Sequence, residues 1–384
     1  MKKYKIKKIF LSQVIALILF LLCLYLFPHR WCEKDSMQWY NNNPDLQKKL
    51  ASSVENWVNR ELKSSDYATC DKLFSGEWLF GTYMMASMGF GQMALSYPEM
   101  KDHYISLMNK CIEKILSPAV KEYDRMSWGE DPIDTLDGPN DHIAYLGYFN
   151  LVLSFNHFID PNSKYKELNK KITEKLVRNL EKSDNLLLYT YPGQIYLPDN
   201  CTVTGSIALY DRATGEDHSK LLKRWMKKCR HDYIDPDTGL LYQTYMPPGR
   251  GSGTAIGIYF LSFADKELSA DLYKALKKHL SGGLLGFGAI REYPVNVPGE
   301  GDIDSGPVIS GYGISATGFS LAGCRIHRDS ELFCELYGTS FLFGCPVIIG
   351  DRLDFVMGGP LGNAIMFAMI TARRDISVTG DQSL

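Results

Sequence analysis

The 384-residue chain lacks the signatures of several common chemistries. It has no Cys-x-x-Cys pair, no His-Glu-x-x-His, no Gly-x-Ser-x-Gly elbow, no Walker loop and no dinucleotide fingerprint after a strand. A zinc centre, an activated serine, P-loop phosphoryl transfer and hydride transfer from a dinucleotide are each disfavoured, because each needs those residue types at those spacings. A surplus of charge is missing as well. The formal net charge is -2 with 22% charged residues, whereas a nucleic-acid binder needs clustered cations to neutralise phosphates. The EF-hand spacing is absent from the acidic run Asp131, Asp134, Asp137 and Asp141, which disfavours a calcium loop there.

The single basic cluster, Lys2, Lys3, Lys5, Lys7 and Lys8, precedes an apolar run from Ile9 to Phe27, interrupted only by Ser12 and Gln13. Nineteen such residues suffice for one membrane-spanning helix, and lysines on its N-terminal side hold that end in the cytoplasm. No small-x-small cleavage site follows, which favours a retained signal anchor over a cleaved signal peptide. The expected organisation is a cytoplasmic segment 1–8, an anchor 9–27, a linker 28–43 and an extracytoplasmic domain 44–384. Of nine cysteines, eight lie beyond the anchor, where an oxidising compartment would permit pairing; Cys201, Cys324 and Cys334 also read as packing residues.

Apolar residues at helical spacing predict about twelve helices after the anchor, beginning at 44–62, 76–97 and 101–116 and ending with 308–326, 330–343 and 361–371. Their connections alternate long, short, long, short. Six consecutive hairpins with that alternation predict an all-α (α/α)6 toroid, in which the first helix packs beside the last and every long loop falls on one face. The helices after the long loops are rich in Gly, Ala and Ser, suited to crowding around an axis. Those after the short turns carry Lys and Glu, a solvated face.

The long loops hold the candidate chemistry. Glu300-Gly301-Asp302-Ile303-Asp304-Ser305-Gly306-Pro307 sets three acids on a glycine-flanked turn, expected to start the helix at 308 with Ser305 or Asp304 as cap. Convergence on one face brings this turn beside Glu130, Asp131 and Asp134, with Tyr191, Tyr196, Asp199, Tyr245 and Arg250 around them. Convergent carboxylates take different proton affinities, so one donates while another abstracts. Asp302 and Asp304 are the expected acid/base pair, with Glu130 or Asp131 opposite. Tyr191, Tyr196, Asp199, Tyr245, Arg250 and Glu300 are the expected substrate-binding groups. The bland readings are caps at Asp199-Asn200, a turn at Asp235–Gly239, and packing or capping by His142. Asn200-Cys201-Thr202 also matches a glycosylation sequon.

Trp128-Gly129, Asp131-Pro132, Tyr145-x-Gly147-x-x-Asn150-Leu151, Pro198-Asp199-Asn200, Tyr210-Asp211-Arg212, Gly215 and Ile234-Asp235-Pro236, in that order, resemble the linalool dehydratase/isomerase family. The resemblance covers the middle of the chain. It implies an (α/α)6 toroid, an oligomer, no cofactor, and addition or removal of water with a double-bond shift on a terpene alcohol. The pocket histidine of that family is replaced by Tyr148, which the resemblance makes a further expected substrate-binding group, and its pocket cysteines have no clean counterpart. The reading is thus elimination, addition or isomerisation on a hydroxylated substrate other than linalool. Its rivals are a glycoside hydrolase or polysaccharide lyase acting on a glycan, and a non-catalytic toroid binding a glycan or protein.

Overall fold

The structure, a computed structural model, describes residues 2–67 and 69–376. The apolar run forms α1 (Lys2–Glu33), exposed along residues 8–24. It is followed by α2 (Ser36–Tyr40), α3 (Pro44–Asn59), α4 (Lys72–Ser96), α5 (Lys101–Ile115), α6 (Pro118–Trp128), α7 (Ile143–Ile159) and α8 (Lys166–Lys182). Then come α9 (Leu197–Thr214), α10 (Ser219–Lys228), α11 (Gly251–Leu261), α12 (Lys266–Leu280), α13 (Ile314–Ile326), α14 (Ser330–Gly344) and α15 (Gly359–Ile370). Three short antiparallel hairpins decorate the loops: β1 (Ser281–Leu284) with β2 (Phe287–Ile290), β3 (Val308–Ile309) with β4 (Tyr312–Gly313), and β5 (Pro346–Ile349) with β6 (Arg352–Phe355).

The inner helices are apolar all round. In α4 every residue from Leu79 to Ala94 except Gly81 is buried, which no solvent-facing helix tolerates. Such helices pack in a closed ring: α4 on α7, α7 on α9, α9 on α11, α11 on α13, α13 on α15, and α15 back on α4. Outside it, α5, α8, α10, α12 and α14 each cover the inner helix they follow, and α3 covers α15. The chain is an all-α (α/α)6 toroid. Outer helices are amphipathic; α8 buries Ile172, Leu176 and Leu180 and turns Lys166, Lys170, Lys171 and Lys182 outward. The ring closes at α4 and α15, where Gln92 donates to the Ala368 carbonyl and the Thr371 hydroxyl, both at 2.9 Å. Small residues permit this crowding. A β-carbon on Gly205 of α9 would lie 2.5 Å from the Phe260 carbonyl oxygen of α11.

Several local expectations change. Helix α4 begins four residues earlier than its apolar pattern, because Asp71 caps it by accepting from the Leu73 and Phe74 amides. The long α5–α7 connection contains α6. The acidic turn does not cap a helix: residues 308–313 form β3–β4, with Gly311 at φ +86°, and α13 starts only at Ile314. Within the expected linker 28–43, α1 continues to Glu33 and α2 docks on α14 with Trp39 fully buried. All nine cysteines are free thiols. Asn200 is 1% exposed and hydrogen-bonded at both ends to Leu188, which removes it as a glycan acceptor.

Candidate active site

A cleft of about 930 Å³ opens at the N-terminal ends of the inner helices, and all six contribute to its wall. Its deeper wall is apolar, from Met84, Met85, Phe319, Leu361 and Ile365. Its upper tier carries the carboxylates of Glu77, Asp199, Asp302 and Asp304, with Trp78, Tyr148, Tyr191 and Tyr196 beside them. Helix starts explain this tier. Glu77 lies in the second turn of α4 and Asp199 in the first turn of α9, where helix dipoles favour negative charge.

Glu77 accepts a hydrogen bond from the Tyr191 hydroxyl at 3.0 Å. Enclosure by protein, and then repulsion from Asp304 and Asp199, push its carboxyl up to about 8. Asp199 accepts from the Tyr148 hydroxyl at 2.6 Å and the Thr190 hydroxyl at 2.7 Å. Burial lifts it to about 6 despite those two donors. Asp304 reaches the cleft with no side-chain donor of its own among the described contacts; loss of hydration, then the charges of Asp302 and Asp199, raise it to about 6. Three acids from three elements thus hold protons unusually well and repel one another. They titrate as a cluster.

Asp302 behaves differently. Arg250, the residue before α11, grips it through two parallel bonds of 2.7 and 2.6 Å, and the Ser305 and Asp304 amides donate to the same carboxylate at 2.9 and 3.1 Å. Although burial alone would raise it, these donors hold Asp302 below the ordinary carboxylate range. Arg250 is anchored from behind by Glu292, fully buried, which accepts from Arg250 Nε at 2.5 Å and from the Ser252 hydroxyl at 2.6 Å. The clamp Glu292–Arg250–Asp302 fixes the loop at 302–305, whose free carboxylate is then Asp304.

Of the residues expected from sequence, Asp302, Asp304, Tyr148, Tyr191, Tyr196 and Asp199 line the cleft, and Arg250 sits behind it. Glu130, Asp131, Tyr245 and Glu300 do not. Asp131 is tied to Lys121 at 2.6 Å, and Glu130 accepts from Asn140 and meets His142 Nε2 at 3.1 Å. The other ring nitrogen of His142 meets buried Asp124 at 2.6 Å, so these acids order the α6–α7 loop instead of facing the pair. Tyr245 is 52% exposed outside the cleft, and Glu300 points to solvent. Glu77 was not expected. Its signal was available: between Leu73 and Ser96 it is the one charged residue of an otherwise uncharged helix.

No protein-family model matches the chain. Among solved structures it is similar to one described as a polysaccharide lyase, at 12% identity over 84% of this chain and 96% of that one, with a TM-score of 0.49. It is also similar to a family 76 glycoside hydrolase from a bovine Bacteroides thetaiotaomicron strain, at 12% identity over 75% and 68% of the two chains, with a TM-score of 0.44. At that similarity neither bears on the chemistry of this chain, which rests on its own side chains.

Proposed function

We propose that this protein is a carboxylate acid/base enzyme that cleaves a glycosidic linkage of a glycan in the cleft. The observation that carries the reading is the cluster of Glu77, Asp199 and Asp304, three carboxyls of raised and unequal proton affinity in a concave, aromatic-walled site. Glu77 keeps its proton near neutral pH and donates it to the leaving oxygen. Asp304, which ionises below Glu77 and has no side-chain donor among the described contacts, acts as base toward water or as nucleophile. Asp199 orients Tyr148, and Asp302 holds the loop through Arg250. Trp78, Tyr191 and Tyr196 offer flat apolar surfaces to sugar rings, whose hydroxyls the same carboxylates accept. A lyase route uses the same donor and base to remove a ring proton and expel the leaving oxygen.

Elimination of water from an alcohol, which the family resemblance implies, uses the same pair, and the apolar floor of Met84, Met85, Leu361 and Ile365 favours it for a hydrocarbon alcohol. The discriminating experiment screens oligosaccharides and terpenols against the full chain, with Glu77→Gln and Asp304→Asn as controls. The glycan reading expects turnover of an oligosaccharide that both variants reduce by about 10²- to 10⁴-fold, the range of general acid–base catalysis. Turnover of a terpenol alone would replace it with the elimination reading, and variants as active as the parent would remove both.

A further inference from the structure

The direction in which α1 leaves the toroid sets the cleft toward the membrane. Ser36 bonds Cys334, Glu33 packs on Gly338, and His29 packs on Gly286 and Phe287 at the β1–β2 turn. Helix α1 therefore runs antiparallel to α14 and overshoots its C-terminal end. That end is the cleft end, because the chain passes from it through β5–β6 directly into Gly359 of the cleft wall. The apolar run ends at Phe27, two residues before His29, roughly 3 Å of helix. A bilayer holding residues 9–27 begins at the level of the β1–β2 turn.

The polarity of the two faces agrees. Beyond α1, among the described residues, the strongly exposed large apolar side chains other than Met37 lie in the connections at the cleft end, with Met126 on α6 among them, at the first residue of α13, Ile314, or in the last turn of α14. They include Leu284 and Leu285 at the β1–β2 turn, Ile348 and Ile349 on β5, and Val356 and Met357 at the cleft lip, with Leu284 and Met357 75% and 73% exposed. The opposite face is built of charged short turns, such as Glu99–Asp102, Glu216–Asp217 and Asp265–Glu267. A soluble polysaccharide gains nothing from an apolar rim, and isolated apolar residues do not otherwise segregate to one end.

We propose that the rim of the cleft docks on the bilayer that holds α1, and that the substrate is a glycan carried on a lipid, its sugar meeting the carboxylate tier while its tail stays against the rim. This rests on the glycan reading above and on a retained α1. The test uses the full chain reconstituted in phosphatidylcholine vesicles containing a lipid with a diazirine near its headgroup. Peptides bearing photo-adducts are mapped by mass spectrometry. Adducts are expected at 284–285, 348–349 and 356–357 as well as on α1, and not at 99–102, 216–217 or 265–267.

Turnover of one glycan is then compared in lipid-carried and released forms. Confinement of enzyme and substrate to one surface raises their effective concentration, so the carried form is expected to be favoured about tenfold or more in kcat/KM. Leu285→Glu with Ile348→Glu, both outside the cleft lining, should erase that preference while leaving turnover of the released glycan unchanged. Adducts confined to α1, or equal turnover of the two forms, would overturn the proposal while leaving a glycan-cleaving site intact. Rim adducts with no turnover of either form would remove the glycan reading and the assigned substrate with it, and leave only the docking.

Discussion

At the scale of single residues the site depends on how protein surroundings divide four carboxyls into different roles. Glu77 is raised by enclosure to about 8, while Asp302 is held down by Arg250. Because the folded state prefers protonated Glu77, its stabilising contribution is complete below the ordinary value near 4.5 and is lost as pH rises through about 8. The melting temperature should therefore fall across that window, and Glu77→Gln should flatten the fall; a variant with the parent slope would show that Glu77 is not shifted. Arg250 has a different test. Arg250→Met strands fully buried Glu292 without a cation, and breaking a buried pair in this way costs about 3–5 kcal/mol, measurable by denaturant unfolding. A loss under about 1 kcal/mol, the level of an exposed pair, would mean that the clamp is not structural. Asp304 and Asp199 were legible in sequence because they stand in a loop and a helix start where acids and aromatics cluster, whereas Tyr148, inside α7, was legible only through the family resemblance. Glu77 was not, because a helix pattern read for its apolar period hides the one position that breaks it. Glu292 was hidden too, since burial of a charge depends on a partner forty-two positions away.

At the scale of elements, small residues decide how closely helices approach, and propensity decides little. Gly205→Ala places a methyl group against the Phe260 carbonyl, which backbone cannot yield cheaply, so a loss of about 1–3 kcal/mol is expected in thermal or chemical unfolding. Stability equal to the parent would show that α9 and α11 are looser than the structure has them. The outer helices were legible from their four-residue ladders, as in Leu168, Ile172, Leu176 and Leu180 of α8. The hairpins were not. Ser305, Gly306 and Pro307 were read as helix-start punctuation, but Ser310 at φ +53° and Gly311 at φ +86° make a tight turn instead. That turn displaces α13 by six residues and leaves the acidic loop hanging over the cleft, pinned by Arg250 in place of a helix. Helix α6 was missed for a related reason: Ser117-Pro118 is a good helix start, but the length of the loop around it concealed an eleven-residue helix.

At the scale of the whole molecule, the alternation of long and short connections was the feature most directly legible in the sequence. It follows from the antiparallel geometry of successive hairpins and survives errors of several residues at every helix end. Ring closure was less legible, since the contacts that seal it join residues hundreds of positions apart. Gln92 is 1% exposed and reaches from α4 to the end of α15; Gln92→Leu removes those bonds and leaves the Thr371 hydroxyl and Ala368 carbonyl to find others, an expected loss of about 1–3 kcal/mol. The same closure gathers one wall from six helices, so that Glu77, Asp199 and Asp304, 227 positions apart at the extremes, share a cleft. The most direct measurement of that claim is the pH dependence of kcat/KM on an oligosaccharide for the parent chain and for Glu77→Gln. The parent should show a bell, with an acid limb near 6 from the Asp cluster and an alkaline limb near 8 from Glu77. Glu77→Gln should lose the alkaline limb and about 10²- to 10⁴-fold in rate. A variant that keeps both the rate and the limb would contradict the assignment of Glu77 as the proton donor and, with it, the reading of the cleft as an acid/base site.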